Sequence, residues 1–167
     1  MINVFFPYYQ CGDENRQLEI DKCLNENILN PKINKLILLV DDGSEVLIKN
    51  SKVEIVQLDK RPTYRDWIEL TKGKKLKGVS ILCNSDIYFD DSIKYATSVL
   101  QNGKEFLALS RWELMGESTT LHPNPHWSQD VWGVNCDDEL SEEMLKSLEF
   151  PMGVPRCDNK IAYISAI

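Results

Sequence analysis

The stretch that most constrains the fold is 79–91, VSILCNSDIYFDD. Val79, Ile81 and Leu82 form an apolar, β-favouring run bounded upstream by Gly78, as expected of a buried strand. The run then meets Asn84, Ser85 and Asp86 where further core residues would be expected. A carboxylate there is costly unless it reaches water, a cation or a hydrogen-bond donor. In an open α/β sheet the carboxyl end of a central strand is where ligands bind, so Asp86 is expected to face a cleft and to hold a hard cation. The competing reading is a helix cap.

Other runs repeat the pattern. Residues 2–6 (INVFF) read as a strand stopped by Pro7 and Tyr8, and 35–40 (KLILLV) as a buried strand running into Asp41 and Asp42. Residues 53–58 (VEIVQL) read as a third strand leading to Arg61 and Arg65, and 105–110 (EFLALS) as another, ending on Arg111 and Trp112. Between them lie helical patterns. Asp13 is expected to cap a helix reaching Leu29 and ended by Pro31. Thr63 and Asp66 have capping-box-like spacing before a helix to about Thr71, and Asp90 or Asp91 caps a helix closed by Gly103. Ser141 to Leu148 is a short helix with acids in its first turn, and 157–167 a helix capped by Asp158. Residues 115–127 read as a long irregular loop of the kind that often carries function, followed by a short strand over 128–134.

Strands alternating with helices predict right-handed crossovers and a mainly parallel sheet flanked by helices. The length, 167 residues, suits a single domain over 1–167, either whole or a module of a longer protein. The polar strand ends then gather on one edge, with acids for a cation, arginines for phosphate and aromatics for a base.

The net charge of −7 argues against a broad nucleic-acid surface, though not against an anionic small ligand. No apolar run approaches the roughly 20 residues of a membrane span, and MINVFFPYY has no basic region or cleavage site; a cytoplasmic protein is expected. Five cysteines without CxxC spacing fit reduced thiols better than disulfides or a zinc site. His122 and His126 sit in HPNPH, where two prolines argue for a loop rather than a helical metal pair. Trp127 and Trp132 read as core, and Trp112 as the better stacking candidate.

In their order, VDDGS (40–44), RPTY (61–64), CNSDIYFD (83–90), LSRWE, SQDVWG and CDNKIAY resemble the GT-A-type glycosyltransferases that use nucleotide-diphosphate sugars, nearest to a small group from viruses, bacteria and plants. CNSDIYFD is similar to a DxD motif with Asn84 in its first acidic place. The resemblance implies a Rossmann-like GT-A sheet, a donor that is often UDP-linked, and a saccharide or other hydroxyl acceptor. It implies that Pro7, Tyr8 and Asp41 or Asp42 hold the base, that Arg61 and Arg65 lie near the diphosphate, and that Asp86 binds Mn²⁺ or Mg²⁺. Asn84, Ser85, Arg111 and Trp112 would complete the donor site. It further implies a carboxylate base, Asp158 or Asp130, and inversion at the sugar; with Asp158 as the base, Asp130 is left to contact the donor sugar.

A receiver-type signalling domain would need an acid pair after the first strand, where Pro7 and Tyr8 stand. A nucleotidylyltransferase usually has a glycine-rich basic loop there, and PYYQCGDENR is not one. A non-catalytic nucleotide-sugar-binding module, or an inactive remnant, remains the alternative.

Overall fold

A computed structural model describes residues 1–116 and 118–166, and the backbone but not the side chain of Trp127, so the expectation for that indole lies outside the described residues. The chain begins with β1 (Ile2–Pro7), α1 (Glu14–Leu29), β2 (Lys35–Val40), β3 (Val53–Gln57) and α2 (Tyr64–Gly73). It continues with β4 (Val79–Cys83), a 3₁₀ turn (Asp91–Lys94) running into α3 (Tyr95–Val99), β5 (Leu107–Leu109), β6 (Trp112–Met115) and β7 (Ser118–Leu121). A second 3₁₀ turn (Pro125–Trp127), β8 (Val131–Asn135), α4 (Glu142–Ser147) and α5 (Cys157–Ser165) complete it.

Six strands form one sheet in the order β3-β2-β1-β4-β8-β5. The first four are mutually parallel, and β8 runs antiparallel to both β4 and β5. The central strands are buried on both faces, which explains apolar runs interrupted only by the buried Asn3 of β1 and Ser80 of β4. One face packs Val4, Phe6, Leu36, Leu38 and Ile81 against Ile20, Cys23 and Leu24 of α1. The other packs Phe5, Ile37, Leu39, Leu82 and Trp132 against Tyr64, Trp67 and Ile68 of α2 and Ile161 of α5. The helix after β1 thus covers one face and the helix after β3 the other. This change of face puts a crevice between the carboxyl ends of β1 and β4.

The caps follow local chemistry. Asp13 accepts from the N–H groups of Asn15 and Arg16, and Thr63 with Asp66 closes a full capping box despite the acid being Asp. Asp90 caps the first 3₁₀ turn and Ser141 caps α4.

Four expectations are corrected. Residues 115–127 are not an irregular loop: β6 and β7 pair antiparallel, with Gly116 at φ 68° in the turn. Thr119 and Thr120 supply the β-branched residues that favour this ladder. The helix after β4 is broken into a 3₁₀ turn and α3 and ends at Leu100; Gly103, at φ 70°, closes the turn beyond by donating to the Leu100 carbonyl at 3.3 Å. The strand expected over 128–134 starts at Val131, leaving Asp130 on the strand-end rim. Asp158 does not cap α5: Arg156 occupies the cap in a left-handed conformation at φ 71°, and Asp158 lies in the first turn.

Candidate functional site

The crevice between β1 and β4 opens into a cleft of about 260 Å³ at the strand carboxyl ends. Of the residues singled out in the sequence, Pro7, Asp41, Arg61, Asn84, Ser85 and Asp86 line it. Tyr9, Arg16, Tyr64, Trp132 and Met152 line it too, and these the sequence did not single out for the site. A cleft residue brought in by tertiary packing carries no local mark, which is why Arg16, a helix residue, went unread.

The cleft wall is built from the strand ends. Ser85 is buried and donates its hydroxyl to the Pro7 carbonyl at 2.7 Å, tying the end of β4 to that of β1. The segment after Asp86 is clamped by α1. Asn27, fully buried, donates to the Ile87 carbonyl at 2.9 Å and accepts from the Phe89 N–H at 3.1 Å. Asn30 donates to the Phe89 carbonyl at 2.8 Å. Asp86 itself is only partly covered, and its Oδ2 meets the Arg16 guanidinium at 3.0 Å. Arg16 also pairs with Glu19 at 2.5 Å. Burial lowers the Arg16 pKa, but its bonds to Tyr9, Glu19 and Asp86 outweigh that and hold it above the ordinary arginine range. Across the cleft, Arg61 approaches Asp41 at 3.8 Å.

The floor is aromatic. Tyr64 meets Trp132 edge to face, with centroids 5.4 Å apart, and Phe150 at 4.9 Å. The Trp132 indole N–H is buried without a hydrogen-bond partner among the described residues, an unusual cost for a donor beside a cleft.

The remaining candidates are not part of the cleft lining. The Tyr8 hydroxyl donates to Asp21 on α1 at 3.0 Å, and burial followed by that carboxylate pushes its pKa up. Asp42 accepts from the Gln10 and Ser44 N–H groups at 2.8 and 2.9 Å, and its bonds to Ser44 lead in holding its pKa below the usual range. Arg65 bridges Glu69 and Glu142 at 2.7 and 3.1 Å, joining α2 to α4. Asp130 is buried at the strand-end rim. Its Oδ1 accepts from the Asn84 amide at 3.0 Å and its Oδ2 from Arg111 at 2.9 Å, and Arg111 also pairs with Glu113 at 3.1 Å. Trp112 is largely exposed, and Asp158 sits on α5 beyond Met152 and Gly153 of the cleft wall. His122 accepts from the Asn124 N–H through Nδ1 at 3.2 Å, in a loop as expected. All five cysteines are free thiols.

The donors about Asp86 do not fit a preformed divalent-cation site. A hard cation in such a cleft takes one or two carboxylates, with phosphates and waters completing the shell, and a carboxylate paired with a guanidinium must give up that partner to join it. Here the one carboxylate in the NSD position already pairs with the Arg16 guanidinium, and Asn84 brings a neutral amide where a second carboxylate would stand.

A four-strand parallel core, a change of helix face between β1 and β4, and a polar cleft at that point define a Rossmann-like fold of the GT-A type, the sheet shared by glycosyl- and nucleotidyltransferases. Solved structures agree at the level of the fold. The chain is similar to S. aureus TarS (1-349) in complex with UDP-GlcNAc, at 15% identity and a TM-score of 0.51 over 87% of this chain and 46% of that one. It is also similar to a 4-diphosphocytidyl-2C-methyl-D-erythritol synthase from Anaerococcus prevotii, at 11% identity and a TM-score of 0.55 over 97% and 81%. A third similarity is to the Francisella tularensis 2-C-methyl-D-erythritol 4-phosphate cytidylyltransferase, at 12% identity and a TM-score of 0.51 over 97% and 80%. The chain thus spans under half of that TarS chain. No family model and no curated protein matches it. Among the described residues no helix is long and apolar enough to cross a membrane.

Proposed function

We propose that this domain is a glycosyltransferase that moves a sugar from a nucleotide-diphosphate donor, UDP-linked in the first instance, to a hydroxyl of a saccharide or similar acceptor. The observation that carries the reading is the cleft at the change of helix face, lined by Pro7, Asp41, Arg61 and Asn84 to Asp86. Such a crevice is where doubly wound sheets take nucleotides. Arg61 offers a guanidinium fork suited to phosphate oxygens, and Tyr9 and Pro7 offer flat surfaces to a base. The TarS structure holds UDP-GlcNAc on a comparable sheet, which makes that compound the first donor to test.

Transfer needs the acceptor hydroxyl to lose its proton as its oxygen bonds to the anomeric carbon and the bond to the diphosphate breaks. A single displacement of this kind inverts the anomeric centre. Asp130 is poorly placed to take the proton, because both its oxygens accept bonds from Arg111 and Asn84. Asp158, on the first turn of α5, is the base in this reading.

The test is incubation with UDP-GlcNAc and other nucleotide-diphosphate sugars, with and without Mn²⁺ and with saccharide acceptors, while release of the nucleoside diphosphate is followed. Release that depends on Asp158 supports transfer. Donor binding with no release under any condition supports a non-catalytic binding module. Neither binding nor release would sink the reading.

A further inference from the structure

The position that a metal would take beside Asp86 is held by a residue of the chain. Arg16 stands in the first turn of α1, the positive end of the helix dipole, where a cation is electrostatically disfavoured unless anions surround it. Two do: Nη1 donates to Glu19 at 2.5 Å and forms an ion pair with Asp86 at 3.0 Å. The guanidinium carries further N–H donors at Nε and Nη2, and Tyr9 is among its partners. Arg16 lines the same cleft as Asp86, Ser85 and Arg61, and about a third of its side chain remains accessible.

We propose that the Arg16 guanidinium, positioned by Asp86, is the cation that receives the ligand's phosphates, so that a nucleoside diphosphate binds this cleft without a divalent metal. The nature of the ligand rests on the nucleotide-sugar reading above; the anion site rests on the Arg16–Asp86 pair alone. Asp86 acts here as a positioning residue. It orients the guanidinium, and its loop is in turn pinned by Asn27 and Asn30.

The experiment is calorimetric titration of the protein with UDP, uridine and inorganic pyrophosphate, in EDTA and in MnCl₂. It compares the natural chain with Arg16→Gln, Arg16→Lys and Asp86→Asn. Expected for the natural chain is UDP binding in EDTA that Mn²⁺ changes by no more than about twofold. Arg16→Gln should weaken UDP and pyrophosphate by tenfold or more, the loss of one charge-assisted contact, while uridine binding is unchanged. Arg16→Lys should restore part of the loss, and Asp86→Asn should weaken UDP only severalfold. UDP binding that requires Mn²⁺, disappears in Asp86→Asn and survives in Arg16→Gln would overturn the proposal and return the metal to Asp86. Arg16-dependent pyrophosphate binding with no nucleoside binding would uphold the anion site and sink the nucleotide reading. Binding of none of the probes would sink both.

Discussion

Asn84 and Asp130 are joined twice: the Asn84 backbone N–H donates to the Asp130 carbonyl at 3.0 Å, and the Asn84 side-chain amide donates to its carboxylate at 3.0 Å. The pair locks the end of β4 to the residue before β8. Arg111, beyond β5, adds the third strand end at 2.9 Å. Asp130 is therefore a strut of the strand-end rim. Asp130→Ala should cost about 1–3 kcal/mol, since it strands two donors in a partly buried place. The urea midpoint should drop accordingly; an unchanged midpoint would show that water replaces the strut at no cost.

A second strut lies under the NSD loop. Asn27 makes two bonds to the backbone of residues 87 and 89 and is fully buried. Asn27→Ala leaves a carbonyl and an N–H unsatisfied, with an expected cost of about 2 kcal/mol. Because that loop carries Asp86, hydrogen exchange of the amides of residues 86–89 should speed up more than that of β1. Uniform change across the sheet would mean that the clamp is not local.

Gly78 is the backbone hinge into β4. It sits at φ 85°, and a Cβ there would lie 2.2 Å from the Met1 carbonyl oxygen, which accepts the Val79 N–H at 2.9 Å. Gly78→Ala must both strain φ and displace the first residue of the chain. Where the backbone suits alanine the replacement gains about 0.4–1 kcal/mol; here, where it does not, the expected loss exceeds that magnitude. A melting temperature within a degree of the natural protein would contradict this.

Much of this was legible in the sequence, for a physical reason. Caps and buried strands are local: Asp13, Thr63 with Asp66, Asp90 and Ser141 act on backbone within three residues, and KLILLV needs no context to be read as core. The hairpin of β6 and β7 was not legible, because its strands are mostly exposed and lack the apolar alternation that marks a half-buried strand. Arg16 and Trp132 reach the cleft only through tertiary packing. Asp158 misled in another way. An acid at a helix start suits either the cap or the first turn, and the left-handed Arg156 took the cap.

Alkaline pH should weaken the fold. Burial, the leading cause, pushes the Cys23 and Cys136 thiols up to about 11 and holds Cys83 well above its ordinary value. An unfolded thiol titrates near 8.5. Between roughly 8.5 and 11 the native chain therefore keeps protons that the unfolded chain loses, so stability is full below 8.5 and falls as pH rises. Burial also raises Tyr64, which acts in the same direction at higher pH. Lys52, lowered by burial, opposes them as the top of the window is approached. Urea midpoints measured from pH 8 to 11 should decline, and a flat profile would mean that these thiols are solvated in solution.

The proton acceptor for transfer separates two carboxylates of different standing. Asp130 is occupied on both oxygens, whereas Asp158 lies on the first turn of α5, after the segment that supplies Met152 and Gly153 to the cleft wall. Asp158→Asn keeps size and should leave donor affinity within about twofold while transfer falls by 100-fold or more, as removal of a general base typically costs about 10²–10⁴. Asp130→Asn should lower stability and reduce transfer only in proportion to the protein that remains folded. Steady-state rates on both variants, at donor concentrations above KM and normalised to native protein, decide the matter. If Asp130→Asn abolishes transfer in a folded protein and Asp158→Asn does not, the base is Asp130, and Arg111 must then release it when the acceptor binds.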